Sequence, residues 1–123
     1  MITGVVNADS EAIIELQVQG PAGQRRTVEV VVDSGFNGWL SLPPSAISSL
    51  GLAWRQRGRA VLADGTESIY DIYDGRVLWM GRVRRIPIDE AEAVPLGGMA
   101  LLQDHELKIE VRVGGKVTIK PLP

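Results

Sequence analysis

The apolar residues of this chain come in short runs, and a turn signal closes nearly every one. Ile14, Leu16 and Val18 alternate with Glu15, Gln17 and Gln19, the period-2 pattern of a half-buried strand, before Gly20-Pro21-Ala22-Gly23 breaks it. Val28, Val30 and Val32 return as a second strand that ends at Asp33. Arg55 to Leu62 reads as a strand, Ala63-Asp64-Gly65-Thr66 as a hairpin turn by its Asp-Gly pair, and a long strand follows through Trp79. Met80-Gly81 turns the chain into Arg82 to Asp89. Leu107, Ile109 and Val111 alternate with Lys108, Glu110 and Arg112, and Gly114-Gly115 leads into a last strand holding Val117 and Ile119. Two segments suit short helices: Pro43 to Gly51, with proline in the first turn and glycine just past the end, and Met99 to Leu102. The pattern predicts an all-β domain of short strands with one or two short helices. With no linker, tandem repeat or low-complexity tract, residues 1–123 read as a single domain.

Composition narrows the function classes. With 45% hydrophobic and 23% charged residues the chain is globular in character, yet small enough that dimerisation is a natural way to cover more surface. A net charge of −2 gives no overall field to recruit nucleic acid or an anionic membrane. The absence of cysteine excludes disulfides, thiolate nucleophiles and cysteine metal sites, and suits a reducing compartment. Met1 to Ala12 has neither a basic start nor a long apolar core, so no signal peptide is read there and a cytoplasmic location is the expectation. The uncharged run from Ser34 to Trp54 is long enough to suggest a membrane span, but Pro43, Pro44 and its glycines and serines argue for a soluble segment.

Asp33 is the residue that needs a reason. Asp-Ser-Gly after a strand is commonly a structural turn, in which the side chains bond nearby backbone groups. Here the triplet follows Val30-Val31-Val32, which has no polar alternation, and precedes the apolar Phe36 and Trp39-Leu40. An ionised carboxylate held dry and unpaired is disfavoured by several kcal/mol. A second carboxylate sharing one proton with it relieves that penalty. Such a pair titrates as a unit, deprotonates a bound water with one carboxylate and protonates a substrate oxygen or leaving amine with the other.

Val31-Val32-Asp33-Ser34-Gly35-Phe36 resembles the apolar-apolar-Asp-Thr/Ser-Gly signature of aspartic peptidases, and the size and layout resemble the single-domain retropepsin type. Three further stretches agree in order. Leu62 to Thr66 sits where that family carries its flap, Val94 to Leu102 resembles the apolar-apolar-Gly segment and short helix beneath the catalytic loop, and Leu107 to Val111 with Val117 to Ile119 fall where terminal strands close the fold. The resemblance spans about Ile14 to Ile119 and implies a closed β-barrel of the acid-protease type, with the active site at a homodimer interface. One triplet per chain, where two-lobed aspartic peptidases carry two, implies that Asp33 of a second copy completes the dyad across a two-fold axis. The implied roles are Asp33 holding the nucleophilic water, Ser34 bonding across the axis with a serine in place of the commoner threonine, and Gly35 letting the backbone turn near the substrate. Ala63, Asp64 and Gly65 would offer flap-tip donors to an extended peptide; separately, Trp39 and Leu40 lie close enough to Asp33 in sequence to line a substrate pocket. No cofactor or metal is implied.

Other features read more plainly. His105, the single histidine, lies between Asp104 and Glu106, and three adjacent residues cannot all face one ion, so it is expected as a solvated turn residue. Arg55, Arg57 and Arg59 share one face of a strand and, with Arg25, Arg26, Arg82, Arg84 and Arg85, suggest either a solvated face paired with acids or a basic patch for acidic peptide or nucleic acid. Trp39, Trp54, Trp79, Tyr70 and Tyr73 read as core and interface packing. The leading expectation is an aspartic endopeptidase acting as a homodimer on peptide or protein substrates. The competing readings are a non-catalytic dimerisation or peptide-binding module of the same fold, and an unrelated β domain in which Asp33 is a turn residue.

Overall fold

Alternation in the sequence becomes alternation in burial along the second strand. In the computed structural model, which describes all residues 1–123, Ala12, Ile14, Leu16 and Val18 point into the core, and Glu15 between them is exposed. The elements are β1 (Ile2–Val6), β2 (Ala12–Gln19), β3 (Arg25–Val32), β4 (Leu40–Leu42), α1 (Pro44–Leu50), β5 (Ala53–Val61), β6 (Glu67–Trp79), β7 (Arg82–Glu90), β8 (Leu96–Gly97), α2 (Met99–Leu102), β9 (His105–Ile109) and β10 (Lys116–Pro121). Both expected helices form, α1 with Pro44 in its first turn and Gly51 just beyond its end. The segment from Ser34 to Trp54 folds as β4 and α1, and no helix is long and apolar enough to cross a membrane.

All ten strands join one sheet, in the order β5-β6-β7-β4-β8-β3-β2-β1-β10-β9. A further contact of β6 with β2, Val18 against Val77 and Gln19 against Arg76, folds the sheet back on itself around the core. The closed barrel implied by the resemblance does not describe this sheet, because β5 and β9 remain free edges. Leu16, Val18, Val30, Leu40, Leu42, Leu50, Val77, Ile86, Ile88, Leu101, Val117 and Ile119 form the centre of the cluster.

Three strands were not legible as such. β4 and β8 are three and two residues long, too short to carry a period, and they exist because β4 pairs with both β7 and β8 while β8 also pairs with β3. β1 is set by its antiparallel pairing with β10 and β2. The strand read through Val111 ends at Ile109, and Val111 is exposed. His105 is corrected from a solvated turn to a residue of β9 stacked edge-on against Trp79, whose indole Nε1 donates to His105 Nε2 at 3.2 Å. Its Nδ1 lies 2.7 Å from the carbonyl of Gln103, so these two partners assign the proton to Nδ1. Of the tryptophans, Trp79 is core, whereas Trp54 is exposed in the single chain, donating from its indole to Asp71 Oδ1 at 3.0 Å. The arginine face is a paired one, with Arg55 and Arg85 on Asp74 at 3.5 and 3.0 Å, Arg57 on Asp71 at 3.9 Å and Arg59 on Glu67 at 3.8 Å.

Candidate active site

The run Val30-Val31-Val32 stays apolar without alternation because the end of β3 is covered by a parallel strand: Val31 pairs with Leu96 and Val32 with Gly97. The chain then leaves the sheet at Asp33, whose amide donates to the carbonyl of Gly97 at 2.9 Å. The Asp33 carboxylate turns back and accepts the amide of Gly35 at 2.8 Å through Oδ1, and its own carbonyl accepts the amide of Phe36 at 3.2 Å. Gly35 fits because a Cβ there would stand 3.2 Å from that carboxylate oxygen. Asp33 is half-buried, and Ser34 and Gly35 are exposed. Within one chain, then, the carboxylate is not held dry. It is presented at a surface.

The loop is locked from below by the start of α2. Gly98 donates to the carbonyl of Trp39 at 3.0 Å, Met99 to that of Phe36 at 2.8 Å and Ala100 to that of Gly38 at 3.1 Å. Such close approach of two backbones leaves no room for side chains. A Cβ on Gly98 would fall 2.3 Å from the carbonyl oxygen of Gly38, and one on Gly38 would meet the Phe36 ring at 2.5 Å. Ser41 is buried, and its hydroxyl accepts the amide of Leu96 at 3.1 Å, tying β4 to β8 beneath the same loop. The Val94 to Leu102 segment therefore packs under the Asp33 loop.

Above the loop, β5 and β6 form a long hairpin whose residues are largely exposed along β5. Its turn is the expected one: Leu62 and Thr66 close it by a backbone bond at 2.8 Å, and Asp64 Oδ1 accepts the amide and hydroxyl of Thr66 at 2.9 and 2.6 Å. Those two bonds, the hydroxyl's first, hold the Asp64 carboxyl below the usual carboxylate range. Between hairpin and loop lies an open cleft of about 460 Å³, bounded by Ala60, Ser68, Ile69 and Tyr70 from the hairpin, Phe36 and Ser41 from the loop side, Leu96, and the stretch from Asp89 to Glu92.

The cleft redistributes the expected site residues. Asp33, Ser34 and Gly35 share one loop, three residues and fewer before Phe36 on the cleft wall. Ala63, Asp64 and Gly65 sit at the hairpin tip, beyond the residues that border the cleft. Trp39 does not border it; Arg84 covers its ring at 5.1 Å and also approaches Trp79 at 5.8 Å. Phe36, Ile69, Tyr70, Asp89 and Leu96 are among the cleft residues that sequence reasoning missed. The Asp89 signal was present, as the first acid of Asp89-Glu90-Ala91-Glu92 after the apolar pair Pro87-Ile88, but nothing in the sequence joined it to the Asp33 loop. Burial pushes the Asp89 carboxyl above its usual range. Burial and then the charge of Asp89 push Tyr70 up as well.

No family model and no curated protein sequence matches the chain. Among solved structures, EIAV protease complexed with the inhibitor HBY-793 superposes with a TM-score of 0.61 at 16% identity, over 80% of this chain and 90% of that one. A retropepsin-like aspartic protease from Rickettsia conorii superposes with a TM-score of 0.54 at 15% identity, over 97% of this chain and 90% of that one. With its mostly β architecture and the loop, hairpin and short helix described above, the chain has the retropepsin-like fold.

Proposed function

We propose that this protein is an aspartic endopeptidase whose active site forms when two copies bring their Asp33 loops together. One observation carries the reading: a single Asp-Ser-Gly loop, bolted from below by β8 and α2, offers its half-buried carboxylate and exposed Ser34 and Gly35 to whatever meets that surface. The fold shared with two aspartic proteases supports it. A lone carboxylate supplies a base without an acid, whereas two related by a two-fold axis supply both.

In the dimer, one ionised Asp33 takes a proton from a water held between the pair. The hydroxide oxygen adds to the substrate carbonyl carbon, and the protonated Asp33 of the second copy delivers its proton to the carbonyl oxygen. Collapse of the tetrahedral adduct returns that hydroxyl proton to a carboxylate, transfers a proton to the departing amine and breaks the C–N bond. Ser34 braces the two loops, and the hairpin lies over the extended peptide as a flap, with Ala63 to Gly65 at its tip. Ile69 and Tyr70, which border the cleft on the hairpin side, join the residues proposed to line the substrate path.

The test pairs sedimentation with cleavage of a peptide library from pH ~4 to 7, the span in which a carboxyl pair sharing a proton works. Dimers that cut peptides, and lose cutting in Asp33→Asn, support the reading. A strict monomer at micromolar concentration refutes it. The Asp33 turn is complete within one chain, which favours one rival: a dimerising peptide-binding module, recognised by self-association and peptide binding without cleavage.

A further inference from the structure

The cleft between hairpin and loop is apolar along its sides and carries three acidic residues, Asp89, Glu90 and Glu92, of which Asp89 is the one set against the Asp33 loop with no cation beside it. Phe36, Ile69, Ala60 and Leu96 give it hydrophobic walls. Asp89, half-buried on β7, stands against the Asp33 loop, its Oδ2 3.3 Å from where a Cβ of Gly38 would be. Its side chain makes no ion pair and no hydrogen bond, and no lysine or arginine borders the cleft. The neighbouring arginines are engaged elsewhere, with Asp71, Asp74 and Glu67. Alternation along β7 turns Asp89 to the face of its cross-strand partner Ile72 and of Tyr70, while Glu90, which also borders the cleft, has its charge engaged with Tyr73, and Glu92 lies exposed at the rim.

A carboxylate losing water without gaining a partner is unfavourable. A protein tolerates it where a ligand supplies the missing cation. The cleft's shape fits a lysine or arginine side chain, whose aliphatic stem packs on Phe36, Ile69 and Leu96 while its head reaches Asp89. We infer that Asp89 is a specificity-determining residue, selecting peptides with a lysine or arginine side chain in this cleft. The inference rests on the peptidase reading for what the peptide is there for, but its own content is a binding preference.

The experiment therefore reads binding without cleavage. Using the Asp33→Asn chain, fluorescein-labelled decapeptide pools are measured by anisotropy, each pool fixed at one position as Lys, Arg, norleucine or Glu and randomised over uncharged residues elsewhere. At one or two positions the Lys and Arg pools should bind about tenfold more tightly than norleucine and more tightly still than Glu. Asp89→Asn should erase that gap, and Asp89→Leu should turn the preference to norleucine. Thermal melts check both folds, and Asp89→Asn should melt no lower than its parent at pH 7, because it removes a charge that burial disfavours. Pools that bind alike, a cationic preference that survives Asp89→Asn, or no binding by any pool overturns the assignment. If the preference appears but the unsubstituted chain cuts nothing, the peptidase reading falls and the cation site stands.

Discussion

Asp33 and Asp64 begin two turns that are nearly the same chemical object. Each aspartate Oδ1 accepts the amide two residues on, from Gly35 at 2.8 Å and from Thr66 at 2.9 Å. What differs is everything around them. The Asp33 loop is tied to β8 by its amide, to α2 by three backbone bonds, and to Gly38 by contacts too tight for a side chain. The Asp64 turn stands at the end of a two-stranded arm, and a Cβ on its Gly65 would touch nothing within 4 Å. The same local bond thus closes an exposed hairpin turn in one place and fixes a candidate catalytic group in the other. Local chemistry makes the turn, and packing gives it a use.

That contrast can be broken most directly by removing each carboxylate. Under the proposed mechanism Asp33→Asn should lower peptide cleavage by about a thousandfold with the fold intact, while Asp64→Asn should leave the chemical step close to unchanged. Equal losses in kcat from the two variants would abolish the distinction. A second comparison sets glycine against glycine. Gly98→Ala drives a methyl into the Gly38 carbonyl and should lower stability in urea by about 3 kcal/mol. Gly65→Ala, strained only by its φ of 84°, should lose about 1 kcal/mol. A smaller effect tests the tie below the loop: Ser41→Ala leaves the Leu96 amide without its acceptor and should destabilise by about 1–2 kcal/mol, read from the denaturation midpoint.

The smallest effect lies at the arm. Asp64 titrates below its ordinary value of 3.8, so its bonds to Thr66 add stability to the turn above the ordinary carboxylate range and lose it as pH falls through the lowered value. Protection of the Thr66 amide, taken relative to its intrinsic exchange rate, should be lost there, and in Asp64→Ala it should be absent at every pH. Asp89 has the opposite sign. Burial favours its protonated form, so its charge opposes folding at neutral pH and ceases to do so as pH drops through its raised value.

Much of the fold was legible because burial alternates with period 2 wherever a strand is long enough to show it. β2 and β3 were read from valines and isoleucines, the hairpin turn from Asp64-Gly65, and α1 from Pro44 and Gly51. The readings that failed share a cause. His105 looked solvated because its partner Trp79 lies 26 residues away, and the sequence could not separate core Trp79 from exposed Trp54 because hydrophobicity does not reveal which strand is a sheet edge. Trp39, read as packing and, from its nearness to Asp33, as a pocket wall, packs against the core with Arg84 over its ring.

The sequence alone determined a β domain, the positions of its turns and the presence of one carboxylate where a buried strand ends, because these depend on side-chain period and local hydrogen bonding. Only the tertiary structure decided that β8 and α2 hold that carboxylate's loop, that Asp89 and Tyr70 share a cleft with Phe36, and that the sheet keeps open edges. Those facts depend on contacts between residues dozens of positions apart, and no local pattern encodes which strand becomes which strand's neighbour.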